Sequence, residues 1–93
     1  ERDRMSETQE TRLKRMTMRS WRRGTKEMDL ILGPFADARL GQMADAALDL
    51  YDALLSENDQ DLYPWITGAG PAPEPFGGLV AEIAAFARTG RGG

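Results

Sequence analysis

Gln42-Met43-Ala44-Asp45-Ala46-Ala47-Leu48-Asp49-Leu50-Tyr51-Asp52-Ala53-Leu54-Leu55-Ser56 is the stretch that decides the fold class. Met43, Ala47, Leu50, Tyr51 and Leu54 recur at the spacing of one side of a 3.6-residue helix, and Asp45, Asp49 and Asp52 fall on another side. The pattern predicts one amphipathic helix over residues 42–56, with its apolar stripe inward and its aspartates toward solvent. On the C-terminal side, residues 56–59 read as a polar turn, after which Asp59 or Asp61 can cap a short helix carrying Leu62, Tyr63, Trp65 and Ile66. Leu62, Trp65 and Ile66 are expected in the core. Tyr63, at the alternate position, is expected to face solvent or a partner. Gly68-Ala69-Gly70-Pro71-Ala72-Pro73 cannot hold a helix and is read as a loop. A last helix is predicted over residues 75–88, with Pro75 in its first turn and Phe76, Val80, Ile83 and Ala87 along one stripe.

On the N-terminal side, Met28, Ile31, Leu32 and Phe35 form another i, i+3, i+4, i+7 stripe, interrupted by Gly33-Pro34. Proline removes an amide donor and crowds the carbonyl four residues back, which predicts a kink, or a break and restart, there. From about Thr11, Leu13, Met16 and Trp21 lie among basic residues until Gly24 ends the segment. Trp21 reads equally as a residue packed under the bundle or as an exposed anchor. No segment alternates like a strand. The fold expected is all-α, a compact bundle of five short helices, in one domain over residues 11–88. Residues 1–10 are read as a disordered tail, with Met5-Ser6-Glu7 resembling a translation start and residues 1–4 an appended remnant. Residues 89–93 are read as a frayed end.

The chain has 93 residues with neither cysteine nor histidine. That removes disulfides, thiolate and imidazole metal sites, and the commonest nucleophile–base pairs. Nothing approaches the roughly 20 apolar residues that span a bilayer, and the N-terminus lacks the apolar stretch of a signal peptide. A soluble, cytoplasmic, monomeric protein is expected. Its charge is uneven. Arg12, Lys14, Arg15, Arg19, Arg22, Arg23 and Lys26 form a block without an acid, whereas residues 28–93 hold ten carboxylates against Arg39, Arg88 and Arg91. Such a block is a solvated helix face, a nucleic-acid patch or a docking surface for an acidic protein. An acid/base pair of Glu27 and Asp29 is a poor reading, because residues two apart on a helix point away from each other.

Within Arg22-Arg23-Gly24-Thr25-Lys26-Glu27-Met28-Asp29, bland explanations exist for each residue. Gly24 suits a positive-φ helix end. Glu27 suits the return arm of a capping box with Gly24 as N-cap, or simply the positive end of a helix dipole. Arg23 suits the last turn of a helix. The same octapeptide, however, resembles the Arg-Gly-x-x-Glu motif of the succinate dehydrogenase FAD assembly (flavinylation) factors. Four further blocks agree in order and spacing: Leu32-Gly33-Pro34-Phe35, Leu54-Leu55, Asp59-Gln60-Asp61-Leu62-Tyr63-Pro64-Trp65-Ile66 and Pro71-Ala72-Pro73-Glu74-Pro75-Phe76. The resemblance covers about residues 13–87. It implies a protein that binds the flavoprotein subunit of succinate dehydrogenase, and often that of fumarate reductase. There it promotes the bond between the FAD 8α-methyl and a histidine of that subunit.

With no histidine, this chain cannot be the flavin's acceptor. It also lacks a strand and the glycine-rich dinucleotide turn, so FAD is expected to be the partner's cofactor and this chain no enzyme. The partner-binding residues implied are Arg23, Gly24 and Glu27, with Arg19, Arg22 and Tyr63 beside them. The competing reading is a small nucleic-acid-binding regulator that lays its basic first helix on phosphates.

Overall fold

The computed structural model describes residues 7–90. The readings made for residues 1–6 and 91–93 lie outside them. Among the described residues five α-helices follow one another: α1 (Gln9–Trp21), α2 (Lys26–Arg39), α3 (Asp45–Leu55), α4 (Asp59–Thr67) and α5 (Gly77–Ala85). A 3₁₀ turn, Leu40–Gln42, joins α2 to α3, and a π turn, Phe86–Gly90, extends α5. No strand occurs among the described residues, and none of their helices is long and apolar enough to cross a membrane.

The first helix starts two residues earlier than its sequence pattern suggested. Thr8 caps it by accepting a hydrogen bond from the Thr11 amide at 3.1 Å, and Glu7 pairs with Arg15 at 2.8 Å, so residues 7–10 are part of the fold. The longest packing contact runs between α1 and α2. Of the kink or the break expected at Pro34, the break does not occur: α2 runs through Pro34 as one helix. The carbonyl that loses its partner there belongs to Leu30, on the exposed side of the helix, where water can replace the missing bond. Gly33 has a different role. It is buried, and a Cβ on it would fall inside the Trp21 indole, so its bare backbone is what lets α1 lie against α2. Trp21 packs there while its Nε1–H donates to Asp37 at 3.3 Å.

The core joins all five helices. Phe35 stacks on Tyr51 with ring centroids 5.8 Å apart and meets Phe86 edge-on at 5.7 Å, while Met16, Leu32, Leu48, Leu54, Leu62 and Ile83 close around them. Leu62 and Ile66 are buried as read from their sequence, and half-buried Trp65 packs on Phe76 at 6.1 Å. The single buried polar side chain among the described residues, Ser20, donates to the Met16 carbonyl at 2.8 Å. Its one proton being used, it accepts from the Tyr51 hydroxyl at 2.6 Å.

Several boundaries differ from expectation for local reasons. α3 starts at Asp45, because Met43 is extended and closes the preceding 3₁₀ turn. Leu48 and Leu55 are buried in α3 beside Tyr51 and Leu54, whereas Met43, Ala47 and Leu50 are half-buried. Asn58, not Asp59 or Asp61, is the N-cap of α4, which places both aspartates in its first turn. α5 begins only at Gly77, with Pro75 before it, and Thr89 and Gly90 belong to the π turn rather than to a frayed end.

Of the three α3 aspartates read toward solvent, Asp45 and Asp49 are exposed and Asp52 is half-buried, and two of them have partners on α1. Asp49 takes the Arg12 guanidinium, and Asp52 takes Arg15 at 3.1 Å and Arg19 at 3.2 Å. The polar face of α3 is therefore laid against the polar flank of α1. Glu7 lies in the same network, where the Arg15 hydrogen bond holds its carboxyl below the usual range; bonds from Glu7 and Asp52 raise the Arg15 guanidinium.

Candidate functional site

The segment joining α1 to α2 is built by residues with separate tasks. Trp21 ends α1, Arg22 caps it, and Gly24 turns the chain at φ +107°, a conformation that side-chain-bearing residues rarely adopt. No atom lies within 4 Å of where a Gly24 Cβ would stand, so the demand for glycine is one of backbone angle and not of space. Thr25 is the N-cap of α2, its Oγ1 accepting from the Met28 amide at 3.3 Å. Of the two local readings of Glu27, the capping box with Gly24 as N-cap fails because the cap lies one residue later, whereas Glu27 does stand in the first turn of α2, where the helix dipole favours an acid. Asp29 closes the turn instead: its Oδ1 accepts from the Arg23 amide at 2.7 Å.

Arg23 is the most constrained side chain here, only 9% exposed. Its Nη1 donates to the Leu55 carbonyl at 2.6 Å, its Nη2 to the Glu57 carbonyl at 2.7 Å, and its Nε to Asp59 Oδ1 at 2.9 Å. The first acceptor is a C-terminal carbonyl of α3 without an intrahelical partner, and Asp59 stands in the first turn of α4. One guanidinium thus joins the end of α3, the linker and the start of α4 to the turn before α2. Arg19 reinforces it from α1, donating to the same Leu55 carbonyl at 3.3 Å while paired with Asp52.

That fixed arrangement frames a shallow groove of about 340 Å³ between two helix starts. Thr25, Glu27 and Met28 form one wall; Asp59, Gln60 and Tyr63 form the other. Glu27 is exposed, and no hydrogen bond or ion pair reaches its carboxylate among the described residues. Tyr63, one turn after Asp59, is 44% exposed. Of the six residues read from sequence, Glu27 and Tyr63 line this groove, and Gly24 precedes Thr25 at its edge. Arg19, Arg22 and Arg23 line a neighbouring groove with Met18 and the α3–α4 linker.

Thr25, Met28, Asp29, Asp59 and Gln60 escaped the sequence reading of the site. A threonine three residues before Met28 at a helix start was an available signal for the cap, whereas nothing local announces that Arg23 reaches 36 residues along the chain to Asp59.

Comparison with known proteins agrees with this architecture. Residues 14–87 match the family described as "Flavinator of succinate dehydrogenase". Among similar curated proteins, one from Mycosarcoma maydis is 43% identical over 68 residues, which cover 73% of this chain and 29% of that protein. One from Meyerozyma guilliermondii is 45% identical over 64 residues, covering 69% and 47%. One from Danio rerio is 35% identical over 83 residues, covering 87% and 52%. All three are named "Succinate dehydrogenase assembly factor 2, mitochondrial", and the chain spans between about a third and a half of their lengths. With the match running from α1 into the π turn after α5, the chain belongs to the family of succinate dehydrogenase flavinators.

Proposed function

We propose that this chain binds the flavoprotein subunit of succinate dehydrogenase, with the fumarate reductase flavoprotein subunit as a second client, and promotes covalent attachment of FAD to it. The observation that carries the reading is the uncommitted Glu27 carboxylate, held beside the bare Gly24 turn and the exposed Tyr63 in a chain of this family. A carboxylate on an exposed first turn, free of any internal partner, is suited to meet a donor on another protein. Arg23 supports the site by fixing both walls, and Arg22 and Arg19 extend the contact along α1. FAD remains the partner's cofactor, and this chain acts as a monomer without catalysing bond formation. It holds the partner in the arrangement from which the flavin reacts, an effect of position.

The relatives carry a mitochondrial location in their names. The cytoplasmic location proposed for this chain rests on its sequence alone, and cell fractionation decides it. The nucleic-acid reading is less well supported, since Arg12, Arg15, Arg19 and Arg23 are held by carboxylates of the same chain.

The test is Glu27→Ala. Loss of the dipole interaction costs less than about 1 kcal/mol, so the helical circular dichroism spectrum and melting temperature stay close to those of the parent. Covalent FAD incorporation, read as in-gel flavin fluorescence of the denatured subunit, should fall at least tenfold. Normal flavinylation by the folded variant would remove Glu27 from the site.

A further inference from the structure

A second surface lies across the outer faces of α1 and α2, on the other side of Lys26 from Glu27. Met18 is 52% exposed, Leu30 43% and Trp21 37%, and these are three of the four large apolar side chains exposed among the described residues. Met18 and Trp21 share the outer stripe of α1 with Leu13, Lys14 and Arg22. On α2, Lys26, Leu30, Gly33 and Asp37 fall on one face, and Trp21 lies across Gly33 and reaches Asp37. Leu30 therefore stands one turn along α2 from Gly33, on which the Trp21 ring lies, and the exposed apolar groups of the two helices are on adjoining faces.

The charges around this patch are of one kind where they are free. The basic block divides in two. Arg12, Arg15, Arg19 and Arg23 turn toward α3 and α4 and are neutralised there. Arg22 and Lys26, at the edge of the apolar patch, are exposed and meet no carboxylate among the described residues; Lys14 is 4.0 Å from Glu10. The acids on the face are Glu10 and Asp37, and both have partners, Lys14 and the Trp21 indole N–H.

We infer that this face docks an acidic amphipathic segment of the flavoprotein subunit, its apolar side on Met18, Trp21 and Leu30 and its carboxylates on Arg22 and Lys26. The inference rests on the function proposed above and adds to it an apolar contact beyond the Glu27 groove, continuous with it through Arg22. Clustered aromatic and aliphatic groups supply most of the affinity in such contacts, and free cations at the edge act mainly on the rate of encounter.

The test uses the full chain and the recombinant flavoprotein subunit. Arg22→Glu with Lys26→Glu should slow association about tenfold and flatten its dependence on salt. Met18→Ser with Leu30→Ser should leave association nearly unchanged and speed dissociation about tenfold. Both pairs lie outside the core, so melting temperatures report that the bundle is intact. If the parent chain binds and both double variants bind with parental rates, this surface is not an interface. If the parent chain does not bind the subunit at all, the proposed function fails first and the inference with it. Self-association of the parent chain that Met18→Ser with Leu30→Ser abolishes, or salt-steep binding to duplex DNA that Arg22→Glu with Lys26→Glu abolishes, would assign the face to another occupant and overturn the proposal.

Discussion

At the scale of single residues, Arg23 and Glu27 divide the work of one motif. Arg23 is spent on the fold: a cation nearly removed from water and shared among two carbonyls and a carboxylate leaves the Glu57 carbonyl and Asp59 without that donor, and the Leu55 carbonyl with Arg19 alone, when it is lost. Arg23→Ala is expected to destabilise the chain by about 2–4 kcal/mol. Arg23→Lys recovers little of this, because an ammonium cannot reproduce the planar fork. Urea unfolding of the two variants checks it, and a lysine variant as stable as the parent would show that charge alone suffices. Glu27 has no such internal partner among the described residues, which leaves its carboxylate exposed. The sequence held the motif but not this division. Thr25 and Gly24 were both acceptable caps by residue type, and only the placement of the chain shows that Thr25 takes the role and so releases Glu27. The partners of Arg23 were illegible because they depend on the packing of α3 and α4, not on any local pattern.

At the scale of elements, periodicity located all five helices, since the apolar stripes of α2, α4 and α5 are the faces found buried. It could not say what a polar face meets. The arginine partners of Asp49 and Asp52 were not announced, because a hydrophobic pattern distinguishes inside from outside, and the flank of a neighbouring basic helix is neither. Nor could residue type foretell that Pro34 would sit within a continuous helix. The α1–α2 pairing depends on Gly33. Gly33→Ala should displace the Trp21 indole, cost about 1–3 kcal/mol as an overpacked contact does, and leave helix content nearly unchanged. Tryptophan fluorescence, compared in a Trp65→Phe background so that Trp21 reports alone, should shift to the red. An unshifted spectrum with parental stability would mean that the ring can move aside at no cost.

At the scale of the whole molecule, stability should decline in alkali through Tyr51. Burial pushes its hydroxyl up to about 12, against the opposing effects of the Ser20 hydrogen bond and the Arg23 charge, from an ordinary value of 10.0. The folded state therefore keeps the proton that the unfolded chain gives up. The contribution is fully present below pH 10 and is lost as pH rises toward 12, at about 1.4 kcal/mol per pH unit. Tyr51→Phe starts less stable, lacking the bond to Ser20, but the gap to the parent should narrow between pH 10 and 11.5 in denaturant titrations. A constant gap over that interval would mean that the phenol ionises alike in both states.

The reach of Arg23 has a further consequence in time. Individual helices form within about a microsecond from neighbouring residues, but Arg23 must find Leu55, Glu57 and Asp59, 32 to 36 positions away, and those acceptors are in place only once α3, the linker and α4 have come together. The two walls of the Glu27–Tyr63 groove are joined by this last closure. A chain emerging from synthesis, or one partly opened by heat, carries the same Arg23-Gly24-Thr25-Lys26-Glu27 letters without the groove.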